Sequence, residues 1–413
     1  MGTTRRPPPG TGVGEAPKNA VSHPWGPRAV PSRPQPQVKK PTVTQDRDSN
    51  WREIFQTARD RGKVRSEHWA GGEYLRLLDD FHGLPRGTVW IDGTLVCGYP
   101  RIGRILRLAS GLREMFSAPF FVEEKVDGYN VRVARVGDRV LAFTRGGFLC
   151  PFTTDRLPDL LDLSCFDARP DLVVCMEVAG PDNPYLQGTT PQVEHDVQAF
   201  VFDIARTGRV GFLPYGEKLA LLERYPLPTV QRYGRFTVEQ VETLRALLWR
   251  LNEEQREGVV MKEDSPADRR IKYVTSNSSV ADIRNTVRNL LHLPPEYFTN
   301  RILRLALFRD EVGREAAGDI AERLGHAFLD GLDEAIAQYR REGKVYYAFR
   351  CRFRDPDNAD RLLTHIRRGD RRMHVVETRR YQEGRYTVLE FRKVYDDMTG
   401  LLAHLMRGGQ VFD

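Results

Sequence analysis

Short runs of alternating apolar and polar residues dominate the chain between residues 119 and 274. Turn formers such as Gly137-Asp138 separate the runs, and such alternation over four to eight residues is typical of half-buried strands. The predicted strands are 120–122, 130–136, 140–143, 172–178, 198–204 and 258–261. A single helix, residues 238–252, is predicted late in this region. The pattern favours an α+β domain that is built on antiparallel sheets.

The apolar residues before this region have a different spacing. Trp51, Phe55 and later Tyr74 and Leu77 recur at helical intervals, which predicts two helices between residues 50 and 80. The turn signal Asp92-Gly93 then separates two short apolar runs and predicts a hairpin. A small α+β module therefore precedes the strand-rich region.

The chain becomes helical after Ser279. Helices are predicted over residues 280–291, 296–310 and 314–342, the last with a break at Gly325. The remaining segment has the order strand 345–353, helix 358–368, strands 373–379 and 386–394, and helix 398–407. This βαββα order indicates a small ferredoxin-like domain.

Composition and charge limit what can be concluded from the basic character of the chain. With 413 residues the chain is long enough for two or three domains. Residues 1–45 hold ten of the 26 prolines and predict a disordered tail. Residues 1–50 hold eight Lys or Arg and three Asp or Glu, so they carry most of the net charge of +7. A polyanion site must therefore be a local patch.

Other classes of protein do not fit the sequence. No stretch has the roughly 20 apolar residues that a membrane helix needs, and no secretion signal is visible at the start, so we expect a cytoplasmic protein without a membrane partner. The five cysteines have no zinc-ligand spacing, and their odd number argues against a disulfide framework.

Five polar clusters interrupt the predicted strands in a fixed order. They are Glu124-Lys-Val-Asp-Gly-Tyr-Asn130, Thr144-Arg-Gly-Gly147, Cys175-Met-Glu-Val-Ala-Gly180, Ala199-Phe-Val-Phe-Asp-Ile204 and Arg256-Glu-Gly-Val-Val-Met-Lys262, and the basic segment Arg270-Ile-Lys-Tyr273 follows them. One Lys-x-Asp-Gly segment alone is usually a turn with solvated charges. Together, the clusters resemble the six signature motifs of the covalent nucleotidyltransferases, which comprise RNA ligases, DNA ligases and mRNA capping enzymes.

The segment after Lys272 distinguishes the branches of this superfamily. DNA ligases and capping enzymes continue with an OB-fold barrel, whereas here about sixty helical residues follow. The chain resembles the archaeal-type homodimeric ATP-dependent RNA ligases, also in Gly98-Tyr-Pro-Arg-Ile-Gly-Arg-Ile105 and Glu177-Val-Ala-Gly-Pro-Asp-Asn-Pro-Tyr185. The resemblance implies an α+β fold: an ATP-grasp-like nucleotidyltransferase domain of antiparallel sheets with flanking helices, plus helical and small C-terminal α+β domains.

The expected domain order follows from this resemblance. After the basic tail, we expect an N-terminal α+β module at 46–115, the adenylyltransferase domain at 116–278, a helical dimerisation segment at 279–342 and a small C-terminal α+β domain at 343–413.

Lys125 is the predicted nucleophile. A lysine amine attacks only when it is neutral, so we expect burial or nearby cations such as Lys262, Lys272 and Arg145 to lower its pKa. Attack on the α-phosphorus of ATP would release pyrophosphate and leave lysyl-AMP, in a reaction that depends on positioning and on neutralising oxyanion charge.

The turn after Lys125 is predicted to present it to the nucleotide. Asp127 and Gly128 form this turn, and Gly128 would permit close approach of the backbone. Asn130 either hydrogen-bonds the ribose or a metal-bound water, or is an ordinary surface asparagine. Glu124 is counted with the nucleotide-binding residues.

The resemblance assigns roles to the other motif residues. Arg145 would contact the 5′-phosphate of RNA or AMP, and its guanidinium suits a phosphate. Phe202 resembles the aromatic that stacks on adenine, with Phe200 as the alternative. Lys262 and Lys272 resemble the pair that grips the α-phosphate. The basic residue beside them is Arg270.

Two glutamates, Glu177 and Glu257, look like the acidic positions that contact the ribose or coordinate a metal. Carboxylates and phosphate oxygens favour Mg²⁺ or Mn²⁺, and no His or Cys cluster is available for zinc. His195, in a loop, is interpreted as structural rather than as a general base.

The predicted activity is ATP-dependent joining of RNA 5′-phosphate and 3′-hydroxyl ends by a homodimer, through lysyl-AMP and RNA-adenylate, with circular RNA as a product. The alternatives are a DNA ligase, a capping-type guanylyltransferase, or an RNA-binding relative without turnover.

Overall fold

The structure is a computed structural model that describes residues 51–69, 71–188, 190–369 and 372–411. The predicted tail at 1–45 lies outside the described residues. Within the described part, no helix combines the length and the apolar character that crossing a bilayer requires.

The chain alternates between helices and four separate sheets. The helices are α1 Trp51–Asp60, α2 Leu108–Met115, α3 Pro151–Leu160, α4 Ser164–Ala168, α5 Tyr215–Arg224, α6 Val241–Glu253, α7 Ser276–Thr286, α8 Glu296–Val312, α9 Ile320–Glu342, α10 Pro356–Gly369 and α11 Asp396–Met406. The strands are β1 Val64–Trp69, β2 Gly72–Leu77, β3 Val89–Ile91, β4 Thr94–Val96, β5 Gly103–Arg104, β6 Phe120–Lys125, β7 Tyr129–Val136, β8 Arg139–Thr144, β9 Leu172–Ala179, β10 Gln198–Arg206, β11 Arg232–Phe236, β12 Gly258–Glu263, β13 Arg270–Val274, β14 Tyr346–Phe353, β15 Met373–Glu383 and β16 Tyr386–Tyr395.

The N-terminal module contains one helix and a four-stranded sheet of order β1-β2-β3-β4. The predicted second helix is wrong, because residues 64–69 and 72–77 pair as the antiparallel strands β1 and β2. Apolar residues cover both faces of β2: Tyr74 packs into one core cluster and Leu77 into another. When both faces of a strand are buried, apolar and polar residues no longer alternate along it, and the apolar residues can recur at intervals that resemble those of a helix. The predicted hairpin at Asp92-Gly93 is confirmed.

Two sheets form the central region. One has the order β10-β9-β7-β8 and the other β11-β6-β12-β13-β5. All neighbouring strands in them are antiparallel except β13 and β5, which run parallel. Strand β5 and helix α2 pack with the five-stranded sheet, although their residues fall within the segment 46–115 that was assigned to the N-terminal module.

A helical segment and a small α+β unit follow. Helix α9 continues through Gly325 without the predicted break. No neighbouring atom crowds this position, so no contact forces the helix to kink there. The last part has the predicted βαββα order, with strand order β14-β16-β15. Phe353 of β14 packs edge-on against Phe152, so this unit shares one apolar core with the four-stranded sheet. The predicted α+β class with antiparallel sheets is confirmed.

Candidate active site

The five-stranded sheet has an apolar face and a charged face. Val122, Met261 and Ile271 point to the apolar core that α2 and α6 cover. Side chains alternate along a strand, and directly paired residues share a face. Lys125 pairs with Gly258, and in the next strands Lys272 pairs with Arg104, so the register puts these cations on the opposite, charged face.

The four-stranded sheet presents a matching row of residues. Asn130 pairs with Glu177, and Glu177 pairs on its other side with Phe200. The three side chains therefore lie beside one another on one face, across β7, β9 and β10. The charges of Glu177 and Lys125 are close enough to shift each other's pKa. This row and the charged face of the other sheet enclose a cleft.

Lys125 forms an ion pair at the centre of the cleft. Its Nζ atom lies 2.5 Å from Oε2 of Glu257, and only 19% of its side chain is exposed. Burial favours the neutral amine, but Glu257 and Glu177 outweigh this effect, so the pKa of Lys125 is raised. The expectation of a lowered pKa is therefore wrong, because sequence motifs do not reveal which counter-ion holds the amine.

The two predicted metal residues lie around this amine. Burial raises the pKa of Glu177 to about 8, and the pKa of Glu257 is raised for the same reason. Among the described residues no group of three or more Asp, Glu, His or Cys can hold a metal alone. Burial disfavours the ionised form of both carboxylates, and a bound cation would stabilise that form. The two residues fit Mg²⁺ or Mn²⁺ only if water and phosphate oxygens complete the coordination, which is the usual arrangement for Mg²⁺.

Two cations beside Lys125 have no ion-pair partner in the described part of the chain. Lys272 is half-buried, and burial together with Lys125 lowers its pKa to about 8. Arg145 is exposed at the tip of the β8 turn and contributes to the same effect on Lys272. Cations that repel one another in a partly buried cleft are suited to an anionic ligand.

The N-terminal module holds the Arg145 turn in place. The buried Arg132 guanidinium donates hydrogen bonds to the carbonyl oxygens of Cys97, Gly87 and Thr144. Gly147 has a φ of +79°, and a Cβ there would lie 2.6 Å from the oxygen of Gly87. The turn is thus fixed from behind while Arg145 stays accessible.

The turn after Lys125 is as compact as predicted, for a different reason. A Cβ on Gly128 would lie 2.5 Å from the oxygen of Val178, so the glycine permits close packing on β9. Asp127 accepts a hydrogen bond from Thr190 through its backbone oxygen. The Oδ1 atom of Asn130 is buried without a hydrogen-bond partner among the described residues, which suits a ligand donor.

Two of the residues that were predicted to bind the nucleotide, Lys262 and Arg270, instead belong to a buried charge network. Lys262 Nζ contacts Glu123 Oε2 at 2.5 Å and Asp203 Oδ1 at 2.9 Å. Arg270 contacts Asp203 Oδ2 at 2.6 Å, and Lys218 pairs with Glu123. Burial opposes the charge of Asp203, but Arg270 and Lys262 hold its pKa well below the usual range. With its ammonium saturated, Lys262 is not brought to Lys125, which corrects the predicted lysine pair.

Two further predictions change for geometric reasons. Glu124 points to the opposite side of β6 from Lys125 and binds Arg256 at 2.8 Å, so it does not line the cleft. Phe202 lies at a bulge of β10 and packs edge-on against Tyr99. Phe200, the alternative, is the aromatic that lies beside Glu177.

The sequence interpretation missed several site residues. Arg104 is the neighbour of Lys272, and three more charged residues from the helical segment, namely Asp282, Arg301 and Arg304, are close enough to influence it or Glu257. No local motif marks them, because helix packing brings them to the cleft. His195 is exposed, as its structural interpretation allows.

Comparisons with known proteins agree with this architecture. A family model described as RNA ligase matches residues 118–274, and one described as Ligase Pab1020 C-terminal region matches residues 285–409. A solved structure from Aquifex aeolicus, provisionally named an ATP-dependent DNA ligase, is 51% identical, with a TM-score of 0.85 over 87% of this chain and 100% of its own.

Archaeal proteins are also similar over most of the chain. An archaeal ATP-dependent RNA ligase is 28% identical, with a TM-score of 0.79 over 87% of this chain and 96% of its own. An uncharacterized protein of Methanocaldococcus jannaschii is 28% identical over 74% of this chain and 80% of its own length. The two family models and these relatives agree, and the chain belongs to the archaeal-type ATP-dependent RNA ligase family.

Proposed function

We propose that this protein is an ATP-dependent RNA ligase whose Lys125 becomes covalently bound to AMP. The observation that carries the proposal is the position of Lys125, which is buried in a cleft with carboxylates on one side and unpaired cations on the other. Such a cleft combines a nucleophile with groups that neutralise phosphate charge.

The first step needs a neutral amine. Burial is the largest influence on Lys125 and favours the neutral form, whereas Glu257 holds the proton on the amine. Glu257 and Glu177 would hold a divalent cation, which would supply charge neutralisation when bound. A Glu257 carboxylate engaged in this way would no longer hold the proton of Lys125, so burial would dominate its pKa. The amine then attacks the α-phosphorus: the P–N bond forms, the bond to the β-phosphate oxygen breaks and pyrophosphate leaves.

The other cleft residues would position the nucleotide. Lys272 and Arg145, which have no competing ion pair in the described residues, would neutralise the α-phosphate oxygens. Phe200 would stack on the adenine, while Asn130 and Glu177 would face the ribose. Holding these parts in reach of one amine replaces a random encounter by a unimolecular step.

RNA would bind beside the nucleotide. A cavity of about 450 Å³ lies between the 181–188 segment, α7 and β14, with Arg284, Arg288 and Tyr347 in its lining. Thr190, two residues after the lining residue Gly188, is hydrogen-bonded to the backbone of Asp127, which ties this segment to the Lys125 turn. Basic and aromatic side chains in such a cavity suit a single-stranded nucleotide.

The following steps would transfer AMP to the RNA 5′-phosphate and then join that phosphate to a 3′-hydroxyl, releasing AMP. Both ends can come from one strand, which would give circular RNA. Exposed apolar residues on α8 and α9, namely Ile302, Leu303 and Leu329, support the proposal of a homodimer through the helical segment.

Incubation with α-labelled ATP or GTP and Mg²⁺ or Mn²⁺ tests the first step. Label from ATP should remain on the denatured protein and be lost in Lys125→Ala, whereas label from GTP alone would indicate a guanylyltransferase. Absence of label with intact RNA binding would indicate a relative without turnover. Circular dichroism of Lys125→Ala checks that the fold is unchanged.

The identity of the substrate requires a separate assay, since the Aquifex relative is named for DNA. Single strands of RNA and DNA with the same sequence, a 5′-phosphate and a 3′-hydroxyl, should be compared at equal concentration. We expect circles and linear multimers from RNA. Sealing restricted to DNA would exclude RNA as the substrate.

A further inference from the structure

Helix α8 carries a buried cation without a counter-ion. The Arg304 residue is 6% exposed, and its Nη1 and Nη2 atoms have no hydrogen-bond partner in the described part of the chain. Its Nε atom donates to the backbone oxygen of Asn300 at 3.2 Å, which leaves the terminal nitrogens unused. A buried guanidinium without hydrogen-bond partners is energetically unfavourable, which indicates that a ligand binds it.

Two more arginines surround Arg304. Burial lowers its pKa to about 10, and the positive charges of Arg104 and Arg301 act in the same direction. Asp282 is the nearby counter-charge, but it is already bound to Arg301 at 2.6 Å. The three arginines therefore outnumber the two acidic residues that act on Arg304, Asp282 and Glu257, and the group extends from the buried Arg304 to the exposed Arg104.

This arginine group adjoins the nucleophile. Arg104 is the strand neighbour of Lys272, and Glu257, which binds Lys125 at 2.5 Å, also influences Arg304. Across the sheet the order is β6, β12, β13 and β5, so Lys125, Lys272 and Arg104 follow one another in one direction. Neighbouring strands are about 4.8 Å apart, so the row is long enough for a polyphosphate.

We propose that Arg104, Arg301 and Arg304 form the binding site for the β- and γ-phosphates of ATP. The proposal rests on the proposed function and adds the residues that receive the leaving group. Attack by Lys125 requires the β-phosphate oxygen to lie opposite the amine, beyond the α-phosphate. With the α-phosphate at Lys272, that direction leads to Arg104 and the guanidinium of Arg304. Pyrophosphate gains charge as the bond breaks, which three guanidinium groups stabilise.

Calorimetric titration of the full-length protein with inorganic tripolyphosphate tests the site without turnover. We expect Arg304→Met to weaken tripolyphosphate binding by about 10- to 100-fold, the loss that removal of charged hydrogen bonds causes. AMP, which lacks both phosphates, should bind both forms equally. Arg340→Met removes an exposed arginine of α9 and should leave both affinities unchanged.

Thermal unfolding separates a ligand site from a structural role. Because Arg304→Met removes an unpaired buried charge, its Tm should rise by about 2 °C or more. A lower Tm together with unchanged tripolyphosphate binding would make Arg304 structural and overturn the proposal.

The RNA end is the other source of a phosphate. If Arg304→Met weakened binding of a 5′-phosphorylated dinucleotide, compared with its 5′-hydroxyl form, but left tripolyphosphate binding intact, the assignment to ATP would be wrong. If instead tripolyphosphate binding depended on Arg304 in a protein that forms no lysyl-AMP, the phosphate site would stand and the proposed function would fail.

Discussion

Lys125 and Glu257 meet between neighbouring strands, with Nζ and Oε2 2.5 Å apart. This contact keeps the amine protonated, although burial of the site favours the neutral form. Ligand binding must therefore change the surroundings of Glu257 before chemistry begins.

Replacing Glu257 should change how adenylylation depends on pH. Only the neutral amine attacks, so the single-turnover rate at limiting ATP, which reports the free enzyme, rises with pH through the pKa of Lys125. Glu257→Gln removes the negative charge that raises this pKa, so the rise should move to lower pH by about 1 to 3 units. Glu254→Gln, at an exposed neighbour, is the control. An unchanged profile would show that Glu257 does not hold the amine.

The charge of Lys272 should determine how the binding of ATP depends on pH in the alkaline range. Its pKa in the free protein is about 8, so its charge is present below that pH and is lost above it. We expect the affinity for ATP, measured by calorimetric titration, to fall above pH 8, because only the charged amine of Lys272 attracts the phosphates. Lys272→Arg, which stays charged, should flatten the fall. The same fall in Lys272→Arg would assign it to another group.

The two candidate aromatics should respond differently to substitution. Phe200→Leu should raise the KM for ATP by about 10-fold, as expected for a lost stacking partner of about 1 to 3 kcal/mol. Phe202→Leu, at the packed bulge, should mainly lower the Tm. Measurement of both quantities in both variants tests the assignment, and the reverse pattern would return the stacking role to Phe202.

Arg132 should contribute strongly to stability. Arg132→Met removes the hydrogen-bond donor of the Cys97 and Gly87 carbonyl oxygens and one of the two donors to the Thr144 oxygen, which also accepts from the Gly147 N–H. We expect the free energy of unfolding to fall by about 3 kcal/mol or more. Arg135→Met, which removes a more exposed pair with Asp167, should cost about 1 kcal/mol or less. Equal losses in denaturant titrations would contradict the bridging role.

Gly128 should tolerate no side chain. The new Cβ of Gly128→Ala would lie 2.5 Å from a backbone oxygen of β9 and would displace the turn that follows Lys125. A shift of the nucleophile by about 1 Å costs on the order of 100-fold in rate. Gly216→Ala, where a Cβ meets open space, is the control. Adenylylation by Gly128→Ala at the rate of the control would refute the packing argument.

Local patterns predicted much of the fold. The hairpin at Asp92-Gly93 and most strands between residues 120 and 263 follow from turn residues and alternation. Helix α3 was missed because it contains Pro158, and it forms through an N-cap at Cys150 and burial of Phe152. Tertiary packing there outweighs a weak helix propensity.

The site was predicted only as far as its motifs reach. Lys125, Glu177 and Glu257 lie together as the ordered clusters suggest. A motif names a lysine but not its partner, so Lys262 was assigned to phosphate although two buried carboxylates bind it. Arg304 belongs to no motif, and only helix packing brings it to the cleft.

The buried network of Glu123, Asp203, Lys218, Lys262 and Arg270 has a consequence for the response of the protein to salt. Dissolved ions screen exposed charges well and enclosed ones poorly. Raising the ionic strength should therefore weaken the binding of polyanionic substrates by the exposed Arg145 and the half-buried Lys272. The buried ion pairs that join the two sheets should stay intact.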